Sequence, residues 1–287
     1  MTEATAFKDP PTTAPSVTVT ATRYPEEVSF VDHVSTEEPL AIEVDGVSLA
    51  VLMRTPGEDR SLVAGFLLTE GVIDGLDDVS AIAPCADPNK PDRENLVRVR
   101  LASGCEGATE RLERARRTFF ATSSCGICGK TSIDAVIQQT TAYASPLSVS
   151  RRLIAVIGET IRARQQVFDA TGGLHAAALV PLGPHTTADT VELHALAEDV
   201  GRHNAVDKVI GASLLAGAFP LPNTALWISG RASFEVVQKA AMAGVRVVIS
   251  VGAPTSLAVG LAERLQLTLI GFARGGDRFN RYVGGVD

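Results

Sequence analysis

Two of the chain's four cysteines stand three residues apart in the run Ser123-Ser124-Cys125-Gly126-Ile127-Cys128-Gly129-Lys130. A thiol is a nucleophile only as its thiolate, and a nearby cation or a helix N-terminus lowers its pKa. Lys130 and a helix-patterned stretch at 131–139 offer both. Glycines on either side let the chain turn sharply and leave the sulfurs uncovered. Phosphate cradling fits poorly: Gly129-Lys130-Thr131 matches the second half of a P-loop, but Ser124 stands where the first glycine belongs. Zinc fits the spacing, yet no second CxxC or HxxxH follows. Cys85 and Cys105 stand alone, and His175, His194 or His203 would have to complete a site in space. Dithiol–disulfide exchange also fits, although Gly126-Ile127 replaces the Pro, Trp or His often found between redox cysteines. Carriage of sulfur as a persulfide needs an exposed, movable cysteine with a second thiol beside it, which this loop supplies. The residues alone leave metal binding, exchange and carriage open. Cys85 and Cys105 read as partly buried small hydrophobes.

The C-terminal half carries a different chemistry. Glu198-Asp199-Val200-Gly201-Arg202-His203-Asn204 is a dense polar run before an apolar helix. His203 or Asn204 is placed to cap that helix, and Asp207-Lys208 to pair on its surface. Ser229-Gly230-Arg231 ends a strand and opens a helix, where free N–H groups and an arginine favour an anion. Gly271-Phe272-Ala273-Arg274-Gly275-Gly276-Asp277-Arg278-Phe279-Asn280 follows another strand. It joins glycines to arginines able to clamp phosphate and to phenylalanines able to stack on a base. Ligands of open α/β sheets gather at the C-terminal ends of strands. The three runs together point to a nucleotide-like or pyrophosphate-bearing ligand.

Local patterning says what must hold these residues. Val/Thr alternation at 17–23 predicts an edge strand, and apolar runs at 40–44 and 47–53 about Asp45-Gly46 predict a tight hairpin. Helical spacing at 58–70 ends at Gly71; a strand is expected at 95–101 and a Pro/Asp-rich loop at 83–94. The segment 110–117, with Arg111, Arg114, Arg116 and Arg117, reads as a solvated helix face or a docking surface. Further helices are expected at 131–139, 150–166, 205–215, 234–242 and 256–264. Strands are expected at 174–180, 190–196, 225–228, 245–251 and 267–272. Short apolar strands alternating with ten-residue helices mark a layered α/β domain. The fold class is therefore α/β (α+β): a tail over 1–16, a strand-rich N-terminal domain over 17–129 ending in the cysteine loop, and an α/β domain over 130–287.

At 287 residues, 45% hydrophobic and 21% charged, the composition is that of a globular enzyme. A net charge of −7 argues against sequence-independent nucleic-acid binding. The tail is acidic and rich in Pro and Thr, without the apolar core of a secretory signal. No run approaches the roughly 18 apolar residues of a membrane helix. A cytoplasmic location is expected, where a CxxC is more often catalytic or metal-binding than structural.

Taken in order, the cysteine run, the stretch Glu198 through Lys208, Ser229-Gly230-Arg231 and Gly271-Phe272-Ala273-Arg274 resemble the formate dehydrogenase accessory sulfurtransferases, the FdhD family. Met53-Arg54-Thr55-Pro56-Gly57 and Gly65-Phe66-Leu67-Leu68-Thr69-Glu70-Gly71 are similar to its N-terminal part, so the resemblance covers about 20–285. It implies sulfur taken from a cysteine desulfurase and passed to the molybdenum (or tungsten) bis(guanine dinucleotide) cofactor, Mo-bis(molybdopterin guanine dinucleotide), of formate dehydrogenase. That cofactor is a bound substrate. The resemblance further implies a homodimer and a C-terminal domain like the cytidine deaminases. Deaminase zinc needs an H-x-E and a P-C-x-x-C element, and no cysteine follows Cys128, so no catalytic zinc is expected. By position, Cys125 bears the persulfide and Cys128 is its partner. Phe272, Ala273, Arg274, Gly275, Gly276 and Asp277 lie on the cofactor, joined by Arg202, His203, Ser229 and Arg231. The competing expectations are a non-enzymatic cofactor chaperone and a CxxC redox protein.

Overall fold

The computed structural model describes residues 14–90, 93–105, 107–121, 140, 142–183 and 191–287. The cysteine loop with Cys125 and Cys128, and the helix expected at 131–139, lie outside the described residues.

The chain opens with an antiparallel ribbon, β1 (Ser16–Arg23) and β2 (Val28–Ser35). A four-stranded sheet follows, built from β3 (Glu38–Val44), β4 (Val47–Arg54), β5 (Val79–Pro84) and β6 (Leu96–Leu101) in the order β4-β3-β6-β5. Between β3 and β4, Asp45 (φ 47°) and Gly46 (φ 82°) form the expected tight turn, whose left-handed dihedrals suit Asp-Gly. The strand β5 occupies the start of the expected loop. It is short and lies at the sheet edge, where a terminal proline costs no ladder bond.

Helix α1 (Asp59–Thr69) packs on the inner face of this sheet and ends at Gly71, φ 69°. Helix α2 is Ala108–Ala121. Its Arg111 turns inward, donating to the Val72 carbonyl at 3.0 Å, to Asp74 at 3.1 Å and to Cys105 Sγ at 3.0 Å. Burial and the neighbouring Asp78 raise the Cys105 thiol, and Cys85 is buried. A raised thiol such as Cys105 is not an activated nucleophile.

The larger sheet has six strands in the order β13-β12-β11-β10-β8-β9. They are β8 (His175–Pro181), β9 (Ala195–Asp199), β10 (Thr224–Ile228), β11 (Val247–Ser250), β12 (Thr268–Gly271) and β13 (Asn280–Val283). The short strands β7 (Ser148–Val149) and β14 (Gly285–Val286) pair separately. β10, β11 and β12 run parallel, and their continuous apolar sequences are buried on both faces. Alternation assigns the faces. Leu226, Ile228, Val248 and Leu269 face one core, which extends through the helices to Leu40, Ile42 and Val97 of the smaller sheet. Ala225, Trp227, Ile249 and Ile270 face a second core with Ile154 and Ile157. Those isoleucines belong to α3 (Arg151–Arg162).

Three expectations are corrected here. The helix expected at 150–166 ends at Arg162, and a further helix, α4 (Gln166–Thr171), follows where the Glu198 carboxylate accepts from Val167 and Phe168 N–H. The strand expected at 190–196 is displaced to β9, which runs into the acidic pair because both carboxylates find donors. The helix expected from 205 begins at Arg202: α5 is Arg202–Leu215, with Gly201 as its N-cap, so His203 and Asn204 lie in its first turn and do not cap it.

Helices α6 (Phe234–Met242) and α7 (Ser256–Leu265) complete the fold as expected. Among the described residues no helix is long and apolar enough to cross a membrane.

Candidate functional site

β9 and β10 both run antiparallel to β8, so β9, β10, β11 and β12 end at one edge of the large sheet, where β8 begins. His175 lies opposite Asp199 in the ladder, Ala177 opposite Ile228, and Ile228 opposite Ser250. The three polar runs leave the sheet here. Backbone groups free of the ladder and the first turn of α5 meet at this edge, which suits an anionic ligand.

The 198–208 run divides into residues that build and residues that face outward. Asp199 is fully buried. One of its oxygens accepts from Thr55 N–H at 3.1 Å and Lys208 Nζ at 2.9 Å; the other accepts from Gly201 N–H at 2.8 Å and Asn204 Nδ2 at 3.0 Å. Asn204 also donates to the Met53 carbonyl at 2.8 Å, and Lys208 to the Thr55 carbonyl at 3.0 Å. The Thr55 hydroxyl accepts from Val200 N–H at 3.2 Å. Residues 53–55 of the small sheet are thereby knotted to the loop that opens α5.

Asp207 and Lys208 do not pair on the helix surface, as their spacing suggested; each is 2% exposed and paired inward. Asp207 takes Lys239 Nζ at 2.8 Å and the Thr69 hydroxyl at 2.8 Å, and Lys239 also reaches Glu70 at 3.2 Å. Burial pushes Asp207 up to about 6, so it is ionised at neutral pH. The two carboxylates outweigh burial at Lys239 and hold it protonated. Of the run, Arg202 and His203 are the side chains left toward the edge. His203 lies 3.3 Å from Ser233 Oγ and 3.5 Å from Glu235.

Ser229 Oγ accepts from Ala176 N–H at 2.9 Å and meets His175 Nδ1 at 3.5 Å. Burial first, and then Arg202, lower the His175 pKa; Asp199 opposes them. The Arg202 Nε is buried with no hydrogen-bond partner among the described residues. Gly230 lies against both residues. Arg231 is exposed, and its backbone passes 3.0 Å from where a Gly252 side chain would start, so a larger residue at 252 would press on it.

Across Gly252 the next run folds over α3. Phe272 N–H donates to the Gly252 carbonyl at 3.1 Å and Ala273 N–H to that of Ser250 at 3.0 Å. Ala273 is thus a buried tether. Gly275 (φ 102°) and Gly276 (φ 64°) take the left-handed turn that brings Gly276 N–H to the Ala155 carbonyl at 3.0 Å. Arg274 is exposed, its guanidinium 5.8 Å from the Phe272 ring centroid, and Asp277 stands 4.0 Å from Arg151. Arg202, His203, Ser229, Arg231 and the 272–277 turn therefore share one edge. The residues the sequence did not assign to the ligand edge are Thr55, His175, which was weighed only as a zinc ligand, and Asp199, which was read only as part of the polar run. The first has no charge of its own, and the second stands at the bare start of a strand.

Arginines at three positions, glycines that admit close approach and an aromatic ring suit the phosphates and base of a nucleotide.

A model of the FdhD/NarQ family matches residues 35–285. The chain is 47% identical over 260 residues to the Sulfur carrier protein FdhD of Streptomyces avermitilis, covering 88% of each. It is 46% identical over 261 residues to that of Anaeromyxobacter sp. (strain K), again covering 88% of each. A crystal structure of a candidate formate dehydrogenase accessory protein from Desulfotalea psychrophila superposes with a TM-score of 0.71 at 23% identity, over 94% of this chain and 98% of that one. That likeness establishes a mixed α/β fold shared along nearly the whole length. With the family match spanning most of the sequence, this chain belongs to the FdhD/NarQ family.

Proposed function

We infer that this protein is a sulfurtransferase that carries sulfur for the maturation of formate dehydrogenase. The observation that carries this reading is the family match across 35–285, which takes in the cysteine loop and every run at the sheet edge. The Cys125 thiolate attacks the outer sulfur of a donor persulfide on a cysteine desulfurase. The donor S–S bond breaks, its cysteine leaves as thiolate, and Cys125 now holds the persulfide. In the second step the outer sulfur passes to the metal of the guanine dinucleotide cofactor and Cys125 returns as thiolate. The acceptor supplies the two electrons that reduce sulfane sulfur to sulfide. Cys128 stands by as the second thiol.

The cofactor is substrate, held by its guanine and phosphates along the sheet edge on Arg202, His203, Arg231, Arg274 and the Gly275-Gly276 turn. Support comes from the convergence of these residues and from a sheet edge of the kind that takes nucleotides in other α/β proteins. Two sheets confined to 38–101 and 175–283 support the division into a strand-rich 17–129 and an α/β 130–287. The parallel strands β10–β12 with helices between them support a cytidine deaminase-like second part. We further propose a cytoplasmic location, since a free thiol pair persists where disulfides are rare, and a homodimer, which the family resemblance implies.

Co-expression with formate dehydrogenase tests the reading. Cys125→Ala should leave that enzyme inactive while GDP binding and the melting temperature stay as in the parent. A Cys125→Ala/Cys128→Ala protein that still matures the enzyme would replace carriage with a chaperone role.

A further inference from the structure

Ser229 was expected on the ligand, but its hydroxyl is directed elsewhere. The oxygen accepts from Ala176 N–H at 2.9 Å, and the neighbour left for its proton is His175 Nδ1 at 3.5 Å. Donation from serine to imidazole satisfies both groups and places the ring proton on Nε2. In that arrangement Ala176 amide, Ser229 hydroxyl and His175 ring form a relay that gives a neutral imidazole with an N–H donor at the far side. The lowered pKa of His175, from burial and Arg202, keeps the ring in that form at neutral pH.

Two further features lie at the same spot. Arg202 Nε is buried without a partner among the described residues, and buried N–H groups are nearly always bonded. Gly230 sits between the two side chains. A Cβ there would lie 3.6 Å from Arg202 Cδ and 3.7 Å from His175 Nδ1, in ordinary contact. Gly230 also has no left-handed φ to explain it. Among the described residues neither the backbone nor packing demands glycine, and the room it leaves is open to a ligand.

We propose that His175 is a ligand-contacting residue: its Nε2–H donates to a phosphate oxygen of the guanine nucleotide, with charge from Arg202 and room from Gly230. Ser229 is then a positioning residue that acts through His175. This rests on the guanine-nucleotide reading of the edge and adds a donor that reading did not contain.

The test uses the full chain and GDP as probe, with affinities measured by calorimetry. Glutamine places an N–H where Nε2 stands and asparagine where Nδ1 stands, and the two burden the fold alike. Expected are a loss of about tenfold or more for His175→Ala and His175→Asn, and retention within about threefold for His175→Gln. Gly230→Ala should melt like the parent yet bind GDP more weakly. Imidazole ¹⁵N shifts of the unliganded parent should report the Nε2–H tautomer, and Ser229→Ala should mix the tautomers. Equal losses for the glutamine and asparagine variants, undiminished affinity in His175→Ala, or an Nδ1–H tautomer would each overturn the assignment. A parent protein that fails to bind GDP would instead remove the nucleotide reading beneath it.

Discussion

Gly65 of α1 and Gly211 of α5 meet backbone to backbone where the helices cross. A Cβ on Gly65 would lie 1.9 Å from the Asp207 carbonyl oxygen, and one on Gly211 1.9 Å from that of Ser61. This crossing joins the helix of the small sheet to the helix that carries Arg202 and His203. Both obstacles are backbone, so no rotamer change relieves them. Gly65→Ala or Gly211→Ala should cost about 3 kcal/mol, lowering Tm by roughly 6–12 °C. A thermal melt indistinguishable from the parent would show that the helices do not touch this closely.

Beside the crossing, Lys239 faces Asp207 and Glu70 with its side chain 1% exposed. Removing the cation strands two carboxylates, one of them fully enclosed. Lys239→Met should destabilise the protein by about 3–5 kcal/mol. The double variant Lys239→Met/Asp207→Leu should recover part of that loss, because the buried charge leaves with its partner. Urea titrations of the parent, single and double variants would check this; a double variant no better than the single contradicts it.

The knot about Asp199 gives the Met53–Thr55 segment its purpose. Asn204→Ala deprives both the Met53 carbonyl and Asp199 of a donor, at about 1–2 kcal/mol. The first turn of α5 should then hold Arg202 and His203 less firmly. GDP affinity is expected to fall several-fold while the circular dichroism spectrum is retained. Full affinity with the expected loss of stability would make the knot a structural tie alone.

His175 and Asp207 should shape acid stability in opposite senses. The folded pKa of His175 lies below the ordinary 6.5, so as pH falls through 6.5 the unfolded chain takes a proton first and stability drops. Asp207 is raised from 3.8 to about 6, so between those values the folded state binds the extra proton and stability rises on acidification. The difference between parent and His175→Gln isolates the first effect. Between pH 6.5 and 5 the Tm of His175→Gln should fall less than that of the parent. Parallel curves would place the imidazole in solvent.

Much of the fold was legible because patterning and burial agree: the buried runs of β10 and β11 and the Asp45-Gly46 turn were readable from residue order. What was not legible depends on distant partners. Glu198 starts α4 from thirty residues away, and no local pattern reveals it. Asp207-Lys208 looks like a surface pair until Lys239 and Asp199 arrive from other elements. The edge cluster of Arg202, His203, Ser229 and Arg231 was readable as strand-end chemistry. Thr55, and His175 beyond its weighing as a zinc ligand, were not, since their roles come from hydrogen bonds that close only in three dimensions.

The central claim is that sulfur rides on Cys125. The most direct measurement incubates the purified protein with a cysteine desulfurase and cysteine, followed by intact and peptide mass spectrometry under non-reducing conditions. One or more added sulfur atoms on the peptide holding Cys125 and Cys128, lost in Cys125→Ala, is the predicted result. An unchanged mass, with bound zinc or a stable Cys125–Cys128 disulfide in its place, would contradict it.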